Sequence, residues 1–248
     1  MKDAPAEQRA KALLDRALAS AKAGDNRKAI ADFTAVIEME DATAEQRAVA
    51  LLIRGVAYGK AGEPQKAIAD YTAVIELKDA PADQRAKALL YRGNTYGQAG
   101  DNQKAIADYT AVIEMKDAPA EQRAKALFNR GVTYYKAGDN RKAIADFTAV
   151  IEMEDASAVL RAVALLIRGD AYGKAGEPQK EIADYTAVIE MKDASAEQRA
   201  KALLYRGITY EEAGNKQKAI ADYEAVIGMK GASESLKERA ARKIDSLK

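Results

Sequence analysis

Residues 41–78 read DATAEQRAVALLIRGVAYGKAGEPQKAIADYTAVIELK, and this unit decides the fold because close copies of it fill almost the whole 248-residue chain. Its opening recurs as DAPAEQRAKALL at Asp3, DAPADQRAKALL at Asp79, DAPAEQRAKALF at Asp117, DASAVLRAVALL at Asp155 and DASAEQRAKALL at Asp193, each 38 residues after the last. A fixed period of this length marks a repeat architecture in which each unit stacks on its neighbours. With no insertion or deletion between copies, the expectation is one array over 1–248 with no linker. A slower period also shows. Copies one and four share KAGDNRKAIADFTAVIEME, and copies two and five share AYGKAGEPQK, as if a three-copy block had been duplicated or assembled modularly.

Within residues 41–78, Thr43 and Gln46 have the spacing of a capping box, and proline takes the Thr43 position in copies one, three and four, where a first helical turn accepts it. Ala48, Leu51, Leu52, Gly55 and Tyr58 follow helical spacing and predict a first helix to about Lys60. Gly62 stops it. Pro64, or Asp25 and Asp101 in other copies, opens a second helix with Ala67, Ile68, Tyr71, Val74 and Ile75 on one face, ending near Lys78. A short turn makes the pair an antiparallel hairpin, with Gly55 and Ala67 as the small residues of close approach. Tyr58, Tyr96, Tyr134, Tyr172 and Tyr210 are expected in the core. After Gly231, the segment 232–248 keeps Leu236, Ala240 and Ile244 at helical spacing and reads as a capping helix.

Gly55, Tyr58, Gly62, Ala67, Tyr71 and the AVIEL run ending at Leu77 resemble the tetratricopeptide repeat signature, in a bacterial form, six times over. HEAT and armadillo repeats fit less well because their units are longer. The resemblance implies an all-α fold: a right-handed α-solenoid of six helix–turn–helix repeats, starting at 3, 41, 79, 117, 155 and 193, plus the capping helix. Two departures stand out. The unit has 38 residues where the family has 34, which is expected to lengthen the first helix by a turn. The family's leucine before the glycine is arginine here: Arg16, Arg54, Arg92, Arg130, Arg168 and Arg206.

Composition narrows the function. There are 39 basic and 38 acidic residues, interspersed, with no basic stripe, so nucleic acid is not an expected partner. Cysteine, histidine and tryptophan are absent, which removes disulfides, Cys/His metal sites, thiol nucleophiles and imidazole bases. No cofactor, metal or catalytic constellation is expected; the adjacent Glu211 and Glu212 point to different faces of a helix. No apolar run approaches the ~20 residues of a membrane span, and the N-terminus lacks a signal-peptide layout. The chain is expected to be soluble, and cytoplasmic by default.

The second helix hardly varies between copies, whereas the first varies along one stripe. Before the Arg-Gly pair stand Asp15, Ile53, Tyr91, Asn129, Ile167 and Tyr205. After it stand Leu18, Val56, Asn94, Val132, Asp170 and Ile208, and a turn later Ala21, Gly59, Gly97, Tyr135, Gly173 and Glu211. Positions three apart share a helical face. In the family that this chain resembles, first helices line a concave groove that holds partners. The implied groove comprises Val49, Leu52, Ile53, Val56, Lys87, Leu90, Tyr91, Asn94, Lys125, Phe128, Asn129, Val132, Tyr135, Ile167, Asp170, Tyr205 and Ile208. Such mixed chemistry suits an extended or helical peptide. Lys87 with Asn94 and Lys125 with Asn129 are fragments of the family's carboxylate clamp, but Leu90 and Phe128 stand where its second lysine belongs. The remaining charges, Arg47 and its equivalents with Asp70 and Asp108, are expected to form exposed ion pairs worth ~0–1 kcal/mol each. The alternative function is a structural or self-assembling scaffold, natural or engineered, that meets other copies of itself and has no dedicated ligand; in that case the stripe is tolerant surface that drifted after duplication.

Overall fold

The computed structural model describes residues 6–247, with side chains from residue 8 onward. The first repeat's start at Asp3 and the last residue, Lys248, lie outside the described residues. Among the described residues there are thirteen α-helices and no strand: α1 (Ala6–Lys22), α2 (Asn26–Glu38), α3 (Ala44–Lys60), α4 (Pro64–Glu76), α5 (Ala82–Gln98), α6 (Asn102–Glu114), α7 (Ala120–Lys136), α8 (Asn140–Glu152), α9 (Ala158–Lys174), α10 (Pro178–Glu190), α11 (Ala196–Glu212), α12 (Lys216–Gly228) and α13 (Glu234–Asp245). The chain divides into two compact units, Met1–Asn129 and Arg130–Lys248, with the boundary inside α7. In the first unit α1 packs on α2, α3 on α4 and α5 on α6, while α2 meets α3 and α4 meets α5. In the second, α9 pairs with α10 and α11 with α12, α8 meets α9, α10 meets α11, and α13 closes on α12.

Each hairpin turn is written into the local sequence. Gly62 adopts φ +76°, in the left-handed region that glycine enters without steric cost. Its N–H donates to the Gly59 carbonyl at 3.2 Å and the Glu63 N–H to the Tyr58 carbonyl at 2.9 Å, the paired bonds of a Schellman ending. Asp25, Asp101 and Asp139 then cap the second helices by accepting from the backbone N–H of Lys28, Lys104 and Lys142 at 3.1 Å. Where Pro64 or Pro178 occupies the first turn instead, the preceding glutamate makes no cap bond.

Two helix ends differ from expectation. The second helix of copy two stops at Glu76 rather than Lys78, because Leu77 turns extended (φ −65°, ψ 114°) and its carbonyl accepts the Ala80 N–H at 3.1 Å. Pro81 lies at the N-cap of α5, outside the helix, with φ −57° and ψ 144°. Thr43 and Ser195 do complete capping boxes with Gln46 and Gln198. First helices run 17 residues and second helices 13, so the longer unit does place about an extra turn in the first helix.

The close approach within the hairpin has another partner than Ala67. A Cβ on Gly55 would sit 2.6 Å from Tyr71 Cε1, and Gly93, Gly169 and Gly207 face Tyr109, Tyr185 and Tyr223 in the same way. The bare glycine therefore admits an aromatic ring from the second helix, and these rings are the buried ones. Tyr58 and its equivalents Tyr96, Tyr134, Tyr172 and Tyr210, expected in the core, are only half-buried. Lysines from the second helices stand over them, Lys66 over Tyr58 and Lys104 over Tyr96, each 5.2 Å from the ring centroid.

The arginine that replaces the family's leucine resolves the second departure. Arg54 forks onto Asp70 through Nε at 2.9 Å and Nη2 at 2.7 Å, and Arg92, Arg168 and Arg206 do the same to Asp108, Asp184 and Asp222. The expectation of exposed ladders is therefore corrected: these aspartates are buried, and their partner is not the arginine at the start of the first helix. Arg54 Nη1 also donates to Thr34 Oγ1 of the preceding hairpin at 2.8 Å, and Arg92 to Thr72 at 2.9 Å. One guanidinium thus ties its own hairpin together and fastens it to the one before. In copy one, the Arg16 hydrogen bonds hold the Asp32 carboxyl below its usual range. Arg47 instead reaches back to the Met39 and Glu40 carbonyls, both at 2.8 Å, and Arg199 does so to Met191 and Lys192. These carbonyls lie just past the end of the preceding helix, and those of Met39 and Met191 also accept the N–H of Ala42 and Ala194.

The capping helix α13 buries Leu236 and Ala240, with Ile244 packed against the same cluster as Leu204 and Tyr223. Glu211 anchors it, accepting from Tyr223 Oη at 2.6 Å and from Lys243 at 3.2 Å.

Candidate partner-binding surface

In the unit 1–129, the stripe lies along α3, α5 and the 120–129 part of α7. Leu52 and Leu90 are only 4% exposed and belong to the hairpin core, so they back the stripe rather than present a surface. Ile53 and Val56 are half-buried against the cores of successive hairpins, and Val49 is half-buried beside them. Tyr91 is the open large apolar residue of this stripe, 39% exposed, with its ring centroid 5.7 Å from that of buried Tyr71. An aromatic wall thus continues from the core to the surface.

The polar members of this stripe hold one another. Asn94 Oδ1 accepts from Tyr109 Oη at 2.7 Å and from Asn129 Nδ2 at 3.0 Å. Burial pushes the Tyr109 hydroxyl up to about 12. Lys87 pairs with Asp83 and Lys125 with Glu121, each one turn back on its own helix. Phe128 is half-buried beside this group. The lysines and amides that suggested fragments of a carboxylate clamp are thereby engaged locally.

In the unit 130–248, the stripe opens into two cavities. The first, about 520 Å³, is lined by Val132 and Tyr135 of α7, Leu166 and Ile167 of α9 and Tyr205 of α11, with Lys201 at its rim. Its walls are mainly apolar and aromatic, with a few polar groups, the usual composition of a binding pocket. The Tyr135 hydroxyl donates to the Asp170 carboxylate, and Lys174 stands over the Tyr135 ring, 4.1 Å from its centroid.

The second cavity, about 730 Å³, lies between α9, α10 and α11, with Arg239 of α13 along one side. Tyr185, Tyr205, Ile208 and Thr209 contribute to its lining, together with Asp170, Glu181 and Glu212. Tyr205 repeats the Tyr91 arrangement, with its ring centroid 5.9 Å from that of Tyr185. Ile208 is half-buried against the core of the last hairpin.

Glu181 was not among the expected site residues, although the sequence marks it: the other copies have Ala29, Ala67, Ala105, Ala143 and Ala219 at this place. Burial pushes its carboxyl above the ordinary value, with the hydrogen bond from Tyr185 and the nearby Thr209 hydroxyl opposing and the charges of Glu212 and Asp170 adding. A carboxyl raised on folding costs stability at pH values above its folded pKa, and that cost vanishes below the unfolded pKa. Glu181→Ala is therefore expected to raise Tm near pH 7. The gain should fade as pH falls through the carboxylate range, as circular-dichroism melts at neutral and acidic pH will show.

The family model described as tetratricopeptide repeat matches residues 14–85, 54–119, 90–153, 128–196 and 168–234. No curated protein matches the sequence. Among solved structures, Pseudomonas aeruginosa pilF is 15% identical, covering 95% of this chain and 98% of that one with a TM-score of 0.66. A tetratricopeptide repeat protein from Parabacteroides merdae is 18% identical over 95% of this chain and 84% of its own, with a TM-score of 0.55. YrrB, described as a tetratricopeptide repeat protein with an unusual peptide-binding site, is 19% identical over 85% and 97% respectively, with a TM-score of 0.59. At these identities the likeness speaks for the fold.

Proposed function

The chain belongs to the tetratricopeptide repeat family, whose fold serves as a protein-interaction scaffold, and on that premise we propose that its first-helix stripe holds an extended or helical segment of a partner protein. The observation that carries this reading is the apolar cavity of about 520 Å³ walled by Val132, Ile167 and Tyr205, all from first helices. It can desolvate one or two apolar side chains of a bound segment, while Lys201 and the Tyr135–Asp170 pair supply orientation at its edge. The peptide-binding site described for YrrB supports a ligand of the same class here. Binding in this mode needs no charge excess on the protein, in keeping with a net charge of +1.

The test is selection from a displayed library of random peptides, followed by calorimetric titration of the winners. Ile167→Ala/Tyr205→Ala should weaken their binding by roughly 10–100-fold, as loss of central aromatic and apolar anchors does elsewhere. The helical content should be unchanged, since neither side chain is fully buried. Winners that bind wild type and double variant alike would remove the groove from consideration.

A further inference from the structure

Resting on the groove reading, we propose that the cavity between α9, α10 and α11 receives a cationic side chain, ammonium or guanidinium, of the bound segment. The geometry begins with a break in the repeat. Where the other copies bury an alanine, Glu181 carries a carboxylate into the cavity, directly over the bare backbone of Gly173, where an added Cβ would lie 2.6 Å from Oε2. Tyr185 Oη donates to Oε1 at 3.2 Å and so holds the group in place. Glu212 lines the same cavity. Among the described residues no cation pairs with either glutamate, whereas the third carboxylate, Asp170, has Lys174 at 3.3 Å and the Tyr135 hydroxyl. Glu181 is half-buried, so its partly desolvated charge favours a cation brought within reach, in a cavity where three carboxylates face the two cations Lys174 and Arg239.

The remaining walls fit the rest of such a side chain. Half-buried Tyr205 borders the cavity, and Arg239 stands 5.8 Å from its centroid, so this ring accepts positive charge. The volume of about 730 Å³ lies in the range of ligand pockets. Glu181 is also the one departure from alanine at this place among the six copies.

Three peptides test this, acetyl-Gly-Ala-Xaa-Ala-Gly-amide with lysine, arginine or norleucine at Xaa, titrated into the full-length ¹⁵N-labelled protein. The lysine and arginine peptides should shift the amides of Tyr185 and Thr209 and bind about tenfold tighter than the norleucine peptide, the equivalent of one well-placed ion contact. Glu181→Ala, which restores the residue of the other copies, and Glu181→Gln should both abolish that preference while the spectrum stays folded. Equal affinity for lysine and norleucine, or a preference that survives in Glu181→Ala, would overturn the proposal. If the norleucine peptide moves signals around Ile167 but charge brings no gain, the groove stands and the cation pocket falls. If none of the three peptides moves a signal in either cavity, both readings fall.

Discussion

Arg92→Met is expected to lower the unfolding free energy by about 3–5 kcal/mol, although the family commonly carries an apolar leucine at that place. The reason lies in Asp108, which is buried and receives two of its hydrogen bonds from this guanidinium, at 2.9 and 2.7 Å. Methionine fills the volume but leaves a carboxylate in the interior without a counter-charge. It also removes the 2.9 Å bond to Thr72, which fastens the hairpin of α5 and α6 to that of α3 and α4. The double variant Arg92→Met/Asp108→Leu should recover most of the loss, because well-packed apolar residues replace buried ion pairs at little cost. Urea unfolding of the wild type, the single and the double variant gives the comparison. A double variant as unstable as the single one would show that the arginine acts through Thr72 and packing, not through the aspartate.

Gly55→Ala and Gly59→Ala, one turn apart on α3, are expected to have opposite signs. At Gly55 a Cβ would meet Tyr71 Cε1 at 2.6 Å, and that ring, carried by α4, is buried against α3 with little room to move. Overpacking there should cost about 1–3 kcal/mol. At Gly59 nothing lies within 4 Å of the added Cβ, and the backbone is helical. Alanine there should stabilise by roughly 0.5–1 kcal/mol, since glycine is the poorer helix former and loses more freedom on folding. Thermal or urea unfolding of the two variants decides it. Two stabilising shifts would mean that helix propensity, not the aromatic ring behind Gly55, governs these positions. Copy one packs differently: there Ala17 stands in the glycine's place, fully buried in the same core as Phe33, so that hairpin accommodates the methyl group that Gly55 excludes.

The proposed partner surface was legible in one respect and illegible in another. Comparing copies singled out the variable stripe, and Tyr91, Ile167 and Tyr205 do stand at the surface of their hairpins or half-way out. Leu52 and Leu90 were grouped with them because adjacent residues on a helix differ by only 100° and the boundary of a face cannot be drawn from spacing alone. Glu181 went unnoticed because it interrupts the helix that otherwise hardly varies, and a single acidic substitution has no meaning until its neighbours are known. Gly173 beneath it, Thr209 beside it and Glu212 across from it come from α9 and α11.

By itself the sequence determined the repeat, the number and order of its helices, and the turns between them. Those features rest on interactions reaching about four residues along the chain: caps, left-handed glycines and the helical period of apolar side chains. Only the tertiary structure decided which arginine meets which aspartate, sixteen positions away across the hairpin, and which tyrosine fills the space above a glycine. Burial belongs to the stack and not to any segment of it. That is why the same alphabet of Arg, Asp and Tyr could be read along the chain but assigned its partners only once the helices had been brought side by side.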